Sequence, residues 1–327
     1  MPKVQLSSGK EFFIEENSSI LSAATSANIK IPYSCKTGRC NTCKSKLVSG
    51  ITQPISEEIG LTQQELDEGW ILSCVRKADT DIVLEVDDLD DIDIPNAVTL
   101  PCRISGVDRI GKDVAKIKLR LPPKSNFKYL PGQYIDIIGV NGVRRSYSLA
   151  NIGADNLLEL HIRSVDGGVL SEYWFNSAKE NDLLRLNGPL GTFFLRDIEG
   201  KDLIFLATGT GIAPIKAILE DLEATQKIGQ AKSVTVFWGG RCEQDLYFDV
   251  QKISDKFKYI PVLSRSKEDW VGQKGYVQDV ATELTPSLEN AVVYACGSEE
   301  MIASAKKKFL AYGLDEREFY SDAFVSA

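Results

Sequence analysis

The sequence predicts three consecutive domains: a small cysteine-bearing unit over residues 1–93, an antiparallel β-barrel over 97–198, and an α/β unit built on a parallel sheet over 199–327. Three observations carry this reading. Four of the seven cysteines fall in the first segment. The middle segment alternates apolar and polar residues in short runs between Pro and Gly turns, as barrels and sandwiches do. The last segment has continuously apolar runs separated by helical stretches, the pattern of strands covered on both faces.

A chain of 327 residues exceeds what one core usually organises. The formal charge of −8 argues against nucleic acid as a partner, because phosphate binding needs a basic face. No apolar run reaches the length of a membrane-spanning helix, so no membrane association is expected. The start, Met1-Pro2-Lys3-Val4-Gln5-Leu6, lacks the charged and apolar regions of a secretory signal, so the expected location is the cytoplasm. Thiols stay reduced there, and clustered cysteines then point to metal or catalysis rather than disulfides. The single histidine, His161, excludes chemistry built on histidine pairs.

In the first segment, Cys35, Cys40 and Cys43 stand as C-x4-C-x2-C, and Cys74 follows on a separate stretch. This is the spacing of plant-type [2Fe-2S] ligands: three thiolates from one loop curl around two irons, and a fourth closes the far side. Gly38 lies inside the loop, where a residue without Cβ lets backbone N–H groups approach sulfide. Four-cysteine zinc sites usually use two close pairs, and only one is present. The segment ends in the acidic run Asp87-Asp88-Leu89-Asp90-Asp91-Ile92-Asp93, read as a strand end entering a solvated linker, with a docking surface as the alternative.

In the middle segment, Tyr134–Ile138 and Leu158–Arg163 read as strands, with turns at Pro131-Gly132 and Asn141-Gly142. The string Arg145-Ser146-Tyr147-Ser148 lies on another strand, with Arg145 and Tyr147 on one face and Ser146 and Ser148 on the other. A planar guanidinium suits a pyrophosphate and a tyrosine ring can lie along an isoalloxazine, although an ordinary strand is the alternative. His161-Ile162-Arg163 sets two polar positions on one face. His161 could equally be a strand surface residue. Gly167-Gly168-Val169-Leu170-Ser171 then opens a helix, whose free N–H groups can bind phosphate. Gly188-Pro189-Leu190-Gly191-Thr192-Phe193 is read as structural.

In the last segment, apolar strands are expected at Leu203–Ala207, Val234–Trp238, Tyr259–Leu263 and Val292–Cys296. The first runs into Thr208-Gly209-Thr210-Gly211-Ile212-Ala213-Pro214, a Gly-rich turn that brings backbone amides close to a dinucleotide pyrophosphate. Pro214 fits the first helical turn. Tyr294-Ala295-Cys296-Gly297-Ser298 ends another parallel strand, where ligands lie, and a buried structural cysteine is the alternative. Gly239 and Arg241 end a third strand and should reach the adenosine ribose. Cys102 and Cys242 read as ordinary thiols.

These motifs resemble those of the ferredoxin–FAD–NAD(P)H reductases in the ferredoxin-NADP reductase superfamily. Tyr33–Cys43 looks like the cluster loop of plant-type ferredoxins, except that Asn41 replaces a small residue and should change hydrogen bonding there. The other likenesses are R-x-Y-S at 145–148 and G-T-G-x-A-P at 209–214. The resemblance implies a β-grasp fold for the first domain and a monomer with FAD, a [2Fe-2S] cluster and NADH, or NADPH, as cofactors. It makes Arg145, Ser146, Tyr147 and Ser148 flavin ligands, with Ser148 reaching toward N5. It gives His161, Ile162, Arg163, Gly168, Leu170 and Ser171 to the FAD pyrophosphate and adenine end. It sets Cys296 and Gly297 beside the nicotinamide, and Phe324 stacked on the isoalloxazine, a core aromatic being the rival. Ser148, Cys296 and Phe324 are the catalytic candidates.

The implied reaction moves hydride from nicotinamide to flavin, then single electrons through the cluster to an acceptor protein. Two classes share this domain order. One serves Rieske or di-iron oxygenases and the other a hexulose dehydrase in 3,6-dideoxysugar synthesis. Stretches such as Arg145–Asn151, Gly191–Arg196 and Tyr320–Phe324 look closer to the second. A stand-alone flavin reductase and a ferredoxin-like carrier with degenerate flavin and NAD domains are the further alternatives.

Overall fold

A computed structural model describes residues 1–139 and 142–324 and divides them into two compact units, Met1–Ile94 and Pro95–Phe324. In the first unit the chain forms β1 (Lys3–Leu6), β2 (Glu11–Phe13), α1 (Ile20–Ser26), β3 (Lys44–Ser49), β4 (Thr52–Pro54), α2 (Gln63–Asp67), β5 (Trp70–Leu72), β6 (Arg76–Ala78) and β7 (Ile82–Glu85). The main sheet has the order β2-β1-β7-β3-β5, with β1 and β7 parallel. Ser19 caps α1 by accepting from the Ser22 N–H at 3.1 Å, satisfying one donor free at a helix start. The helix sends Ile20, Leu21, Ala23 and Ala24 into one core with Val4, Leu6, Ile71, Ile82 and Leu84. A mixed sheet gripping one helix is the expected β-grasp.

The acidic run differs from its expectation. Leu89 is buried and its N–H bonds the Lys30 carbonyl at 3.1 Å. Asp88 pairs with Lys10 at 2.7 Å, and Asp90 also reaches that ammonium. One leucine among aspartates carries the reason: burying it is worth about 1.5–3 kcal/mol, enough to fold a short charged segment back onto its own unit.

The second unit begins with β8 (Val98–Arg109), β9 (Val114–Arg120), β10 (Tyr134–Ile138), β11 (Arg144–Ser148), β12 (Leu157–Arg163), α3 (Val169–Glu172) and β13 (Leu183–Leu190). The sheet order is β11-β10-β13-β8-β9-β12, and an antiparallel bridge between Leu149 and Leu160 closes it into a barrel. Inward positions such as Ile117, Leu119, Ile135, Ile137, Leu158 and Leu160 fill the interior. The turn expected at Asn141-Gly142 is half visible: Gly142 takes φ +74°, and Asn141 lies outside the described residues.

The chain continues through β14 (Asp202–Thr208), α4 (Ile212–Ala224), β15 (Ser233–Gly240), β16 (Lys258–Leu263), β17 (Gln273–Lys274), α5 (Val277–Leu284), β18 (Ala291–Ser298), α6 (Glu299–Ala311) and β19 (Phe319–Phe324). These strands form a wholly parallel sheet, β17-β16-β15-β14-β18-β19. Strand alternation sorts its residues into two layers. Leu203, Phe205, Val236, Trp238, Val292 and Tyr294 pack with α4, while α5 and α6 pack with each other elsewhere on the sheet. The edge strands β17 and β19 were not expected from the sequence. Buried Asp322 interrupts β19, so it never shows an unbroken apolar run. No helix among the described residues is long and apolar enough to cross a membrane.

Candidate functional site

The four cysteines of the first unit come together as two pairs: Cys35 hydrogen-bonds Cys40, and Cys43 hydrogen-bonds Cys74. Among the described residues no three His, Cys, Asp or Glu converge on a single ion. Two thiol pairs suit two irons, each taking two protein sulfurs, better than one tetrahedral zinc. The hydrogen bond from Cys40 lowers the Cys35 thiol, and that from Cys43 lowers Cys74. In each pair one thiol is shifted toward the thiolate, the form that binds metal.

Backbone amides already point at sulfur. The Cys35 N–H donates to Cys40 Sγ and the Thr37 N–H to Cys35 Sγ, both at 3.4 Å. Gly38 has φ +76°, and a Cβ there would stand 2.5 Å from the Glu57 carbonyl oxygen, so only glycine closes this loop. Asn41 takes φ +60° and donates through Nδ2 to the Gly60 carbonyl. Asparagine tolerates this left-handed backbone, and its amide ties the cluster loop to the next one.

In the barrel, β11 carries the R-x-Y-S string antiparallel to β10, with Tyr147 opposite Ile135 and Ser148 opposite Tyr134. Arg145 is exposed at the barrel edge and hydrogen-bonds the Arg144 carbonyl at 2.8 Å. Ser146 donates to Asp136 at 2.7 Å, and Ser148 is buried. Tyr147 accepts a 3.0 Å hydrogen bond from Trp174 Nε1, the rings meeting edge-on at 6.2 Å. Burial pushes its phenol up to about 12, so the proton stays on. Trp174 is fully buried in a π-helical turn, Tyr173–Ser177, that continues α3. No periodicity in the sequence marks it, because its role depends on a turn that departs from the 3.6-residue repeat.

The other flavin-side expectations divide. Gly168 is the N-cap of α3, as the helix start required. Ser171 Oγ accepts from the Val165 N–H at 2.7 Å and pins the loop before that helix. The side chains of Ile162 and Leu170 lie in the barrel core, leaving only their backbone for a ligand. His161 is neither on an open face nor free: its ring nitrogens meet Glu159 at 3.0 Å and the Tyr247 hydroxyl at 3.2 Å. Its side chain therefore has no donor or acceptor left for a nucleotide. Arg163 pairs with Asp113 at 3.2 Å, and its Nη1 would stand 2.7 Å from a Cβ on Gly209.

The residues expected to meet the nicotinamide line up across the carboxyl edge of the parallel sheet, where such sheets bind ligands. Thr208 ends β14 opposite Gly239 of β15. Its Oγ1 accepts from the Ser298 N–H of β18 at 3.3 Å. Gly297 and Ser298 in turn lie opposite Ala323 and Phe324 of β19. Phe324 is 38% exposed at this edge, which leaves a face for a ring to meet. Between these strands, Gly209-Thr210-Gly211 makes one tight turn into α4, with Pro214 in the first turn of that helix. Gly211 presses on β18: a Cβ would lie 2.1 Å from the Cys296 carbonyl oxygen. The Gly209 carbonyl accepts from Trp238 Nε1 at 3.0 Å. Cys296 is fully buried, and burial pushes its thiol well above the usual range, so it stays neutral. Arg241 is exposed just past β15, held through its N–H by Asp245 at 2.7 Å.

Family models match three stretches in this order: a 2Fe-2S iron-sulfur cluster binding domain at residues 5–79, an oxidoreductase FAD-binding domain at 101–195 and an oxidoreductase NAD-binding domain at 205–307. The chain is 42% identical over 323 residues to the CDP-6-deoxy-L-threo-D-glycero-4-hexulose-3-dehydrase reductase of Yersinia pestis, covering 97% of this chain and 96% of that protein. It is 30% identical to the phenol 2-monooxygenase reductase component of Pseudomonas sp. (strain CF600), covering 98% and 93%. Among solved structures, an Amycolatopsis cytochrome P450 reductase matches with a TM-score of 0.77 at 26% identity, covering 100% of this chain and 99% of that one.

Proposed function

Because the chain belongs to the NAD(P)H-dependent oxidoreductases that join 2Fe-2S, FAD-binding and NAD-binding domains in one polypeptide, we propose that it supplies electrons to a CDP-6-deoxy-hexulose-3-dehydrase. The observation that carries this choice of partner is identity along nearly the whole chain: 42% to a reductase of that dehydrase, against 30% to the phenol system component. The acceptor's docking surface lies in this same chain, so similarity over all three domains bears on it.

FAD, when bound, takes electrons in a pair from the nicotinamide and releases them singly, as a [2Fe-2S] cluster carries them. The chain's own residues orient these groups. Arg145 offers a planar, permanently charged guanidinium to the FAD pyrophosphate. Trp174 fixes the Tyr147 hydroxyl, and Tyr147 and Ser148 would hold the isoalloxazine of a bound FAD. The N–H groups after Gly168 and at Gly209–Gly211 take phosphate oxygens. Thr208, Gly239, Arg241, Cys296 and Gly297 receive NADH along the sheet edge. The Cys296 side chain is buried in the core, so at this edge it offers only its backbone. Phe324, part-exposed at the sheet edge, would offer its ring to the isoalloxazine of a bound FAD. Cys35 with Cys40 and Cys43 with Cys74 would ligate the two irons of a bound cluster.

The test is an anaerobic assay with purified partners. NADH consumption by the reconstituted protein should rise with added hexulose dehydrase and its substrate, in proportion to the dehydrase. Stimulation by a Rieske or di-iron oxygenase component, and none by the dehydrase, would transfer the chain to the oxygenase class. If NADH leaves the absorbance of the loaded protein unchanged, the electron relay itself is absent.

A further inference from the structure

A buried charged network joins the barrel to α4. Lys216 stands on the apolar face of that helix, with its Nζ 2.7 Å from the Ala150 carbonyl, 2.6 Å from Glu220 Oε1 and 3.2 Å from Glu159 Oε1. A lysine ammonium has three donors, and all three are used. Glu159 Oε1 also meets His161 Nε2 at 3.0 Å, and His161 Nδ1 meets the Tyr247 hydroxyl at 3.2 Å. The Tyr247 ring packs edge-on against Trp238 at 5.1 Å, and Trp238 Nε1 donates to the Gly209 carbonyl at 3.0 Å. Burial would raise the Glu159 carboxyl, but the hydrogen bond from His161 and the Lys216 ammonium outweigh it and hold it at about 2. Burial in turn lowers His161, which stays neutral between its two partners.

The two ends of this chain of contacts matter. One is Ala150, two residues past Ser148. The other is Gly209, the start of the turn proposed to take NADH, which leads directly into α4 and back to Lys216. We propose that the Lys216–Glu159–His161–Tyr247 network is a positioning device that fixes the flavin strand relative to the nicotinamide turn, with Lys216 as its central residue. The inference rests on the reading of β11 and the Gly209–Gly211 turn as the two cofactor sites. The physical need is strict, because reacting atoms must be held about 3–3.5 Å apart and a shift of about 1 Å can cost 10²-fold in rate. Buried ion clusters are poor sources of stability but resist being rearranged, since breaking one contact strands another charge.

The experiment compares wild-type holoprotein with Lys216→Met, which keeps the aliphatic stem. NADH-to-ferricyanide turnover gives kcat and KM, FAD fluorescence gives flavin retention, and amide exchange on the flavin-free chain reads the network itself. The expected result is kcat lower by at least about tenfold, with KM for NADH and FAD retention within about twofold. Exchange should quicken together at 148–151 and 209–216. Unchanged kcat, or a loss accounted for by flavin release, overturns the proposal, as does exchange confined to one of the two segments. Tyr247→Phe removes the Tyr247–His161 contact while keeping the ring, and should quicken the same two segments if Lys216→Met fails to fold. An inactive wild type would instead refute the reductase reading, which the exchange data do not depend on.

Discussion

Replacing Gly211 by alanine isolates the turn proposed to take NADH. The added Cβ would sit 2.1 Å from the Cys296 carbonyl oxygen and 2.6 Å from its carbon, where ordinary contact begins near 3.4 Å. The difference, 3.4 − 2.1, requires about 1.3 Å of separation. Cys296 cannot yield it, because it lies fully buried in β18 with its backbone paired to Ala207 of β14. The turn must move instead. A displacement near 1 Å at a reacting site costs up to about 10²-fold, or about 2.7 kcal/mol of barrier. Overpacking should also lower stability by about 1–3 kcal/mol. Anaerobic stopped-flow reduction of bound FAD by NADH measures the effect, with chemical reduction of the cluster as an internal control. Gly229→Ala serves as comparison, since nothing lies within 4 Å of its added Cβ. Gly211→Ala reducing its flavin at the wild-type rate, with both cofactors in place, would refute the argument from close approach.

Three further outcomes follow from the geometry. Cys40→Ser should abolish the cluster's visible absorbance while sparing NADH-to-ferricyanide activity, and a joint loss would show that the two functions do not separate. Trp174→Phe leaves the partly buried Tyr147 hydroxyl without its 3.0 Å donor, so FAD should bind about fivefold more weakly, the worth of one hydrogen bond near 1 kcal/mol. Fluorescence titration reads it, and unaltered affinity removes Trp174 from the flavin site. Glu159 titrates near 2 when folded, below its ordinary value of 4.5. A depressed carboxylate stabilises above its unfolded value and loses that contribution as pH falls from about 4.5 toward 2. Urea midpoints should therefore drop more steeply over that window in wild type than in Glu159→Gln, and parallel slopes would remove the role of Glu159.

The sequence was informative wherever local chemistry decides structure. The C-x4-C-x2-C spacing, the β11 alternation and the Gly-rich turn are short-range features, and each falls where its residue types require. The edge strand β19 escaped notice because pairing, not composition, makes Phe319–Phe324 a strand. His161 shows the same limit from the other side. Its polarity suggested a ligand, but its partner Tyr247 comes from a loop 86 positions away, which no window on the sequence joins. One signal was available: Lys216 stands alone in the run Ile212-Ala213-Pro214-Ile215-Lys216-Ala217-Ile218-Leu219, and a lysine on a buried helical face must be paired. Trp174 gave none, since its place depends on the π-helical turn.

The fold-back at Lys10 bears on where the first unit can be separated from the rest of the chain. Because Leu89 and its flanking aspartates belong to the first unit, a breakpoint placed at the close of β7 would cut away a buried leucine and leave Lys10 without two of its anions. A crossover after Ile94 would carry the module over whole. The acidic segment thus closes off the first unit, and a cut that removed it would uncover the core around Leu89.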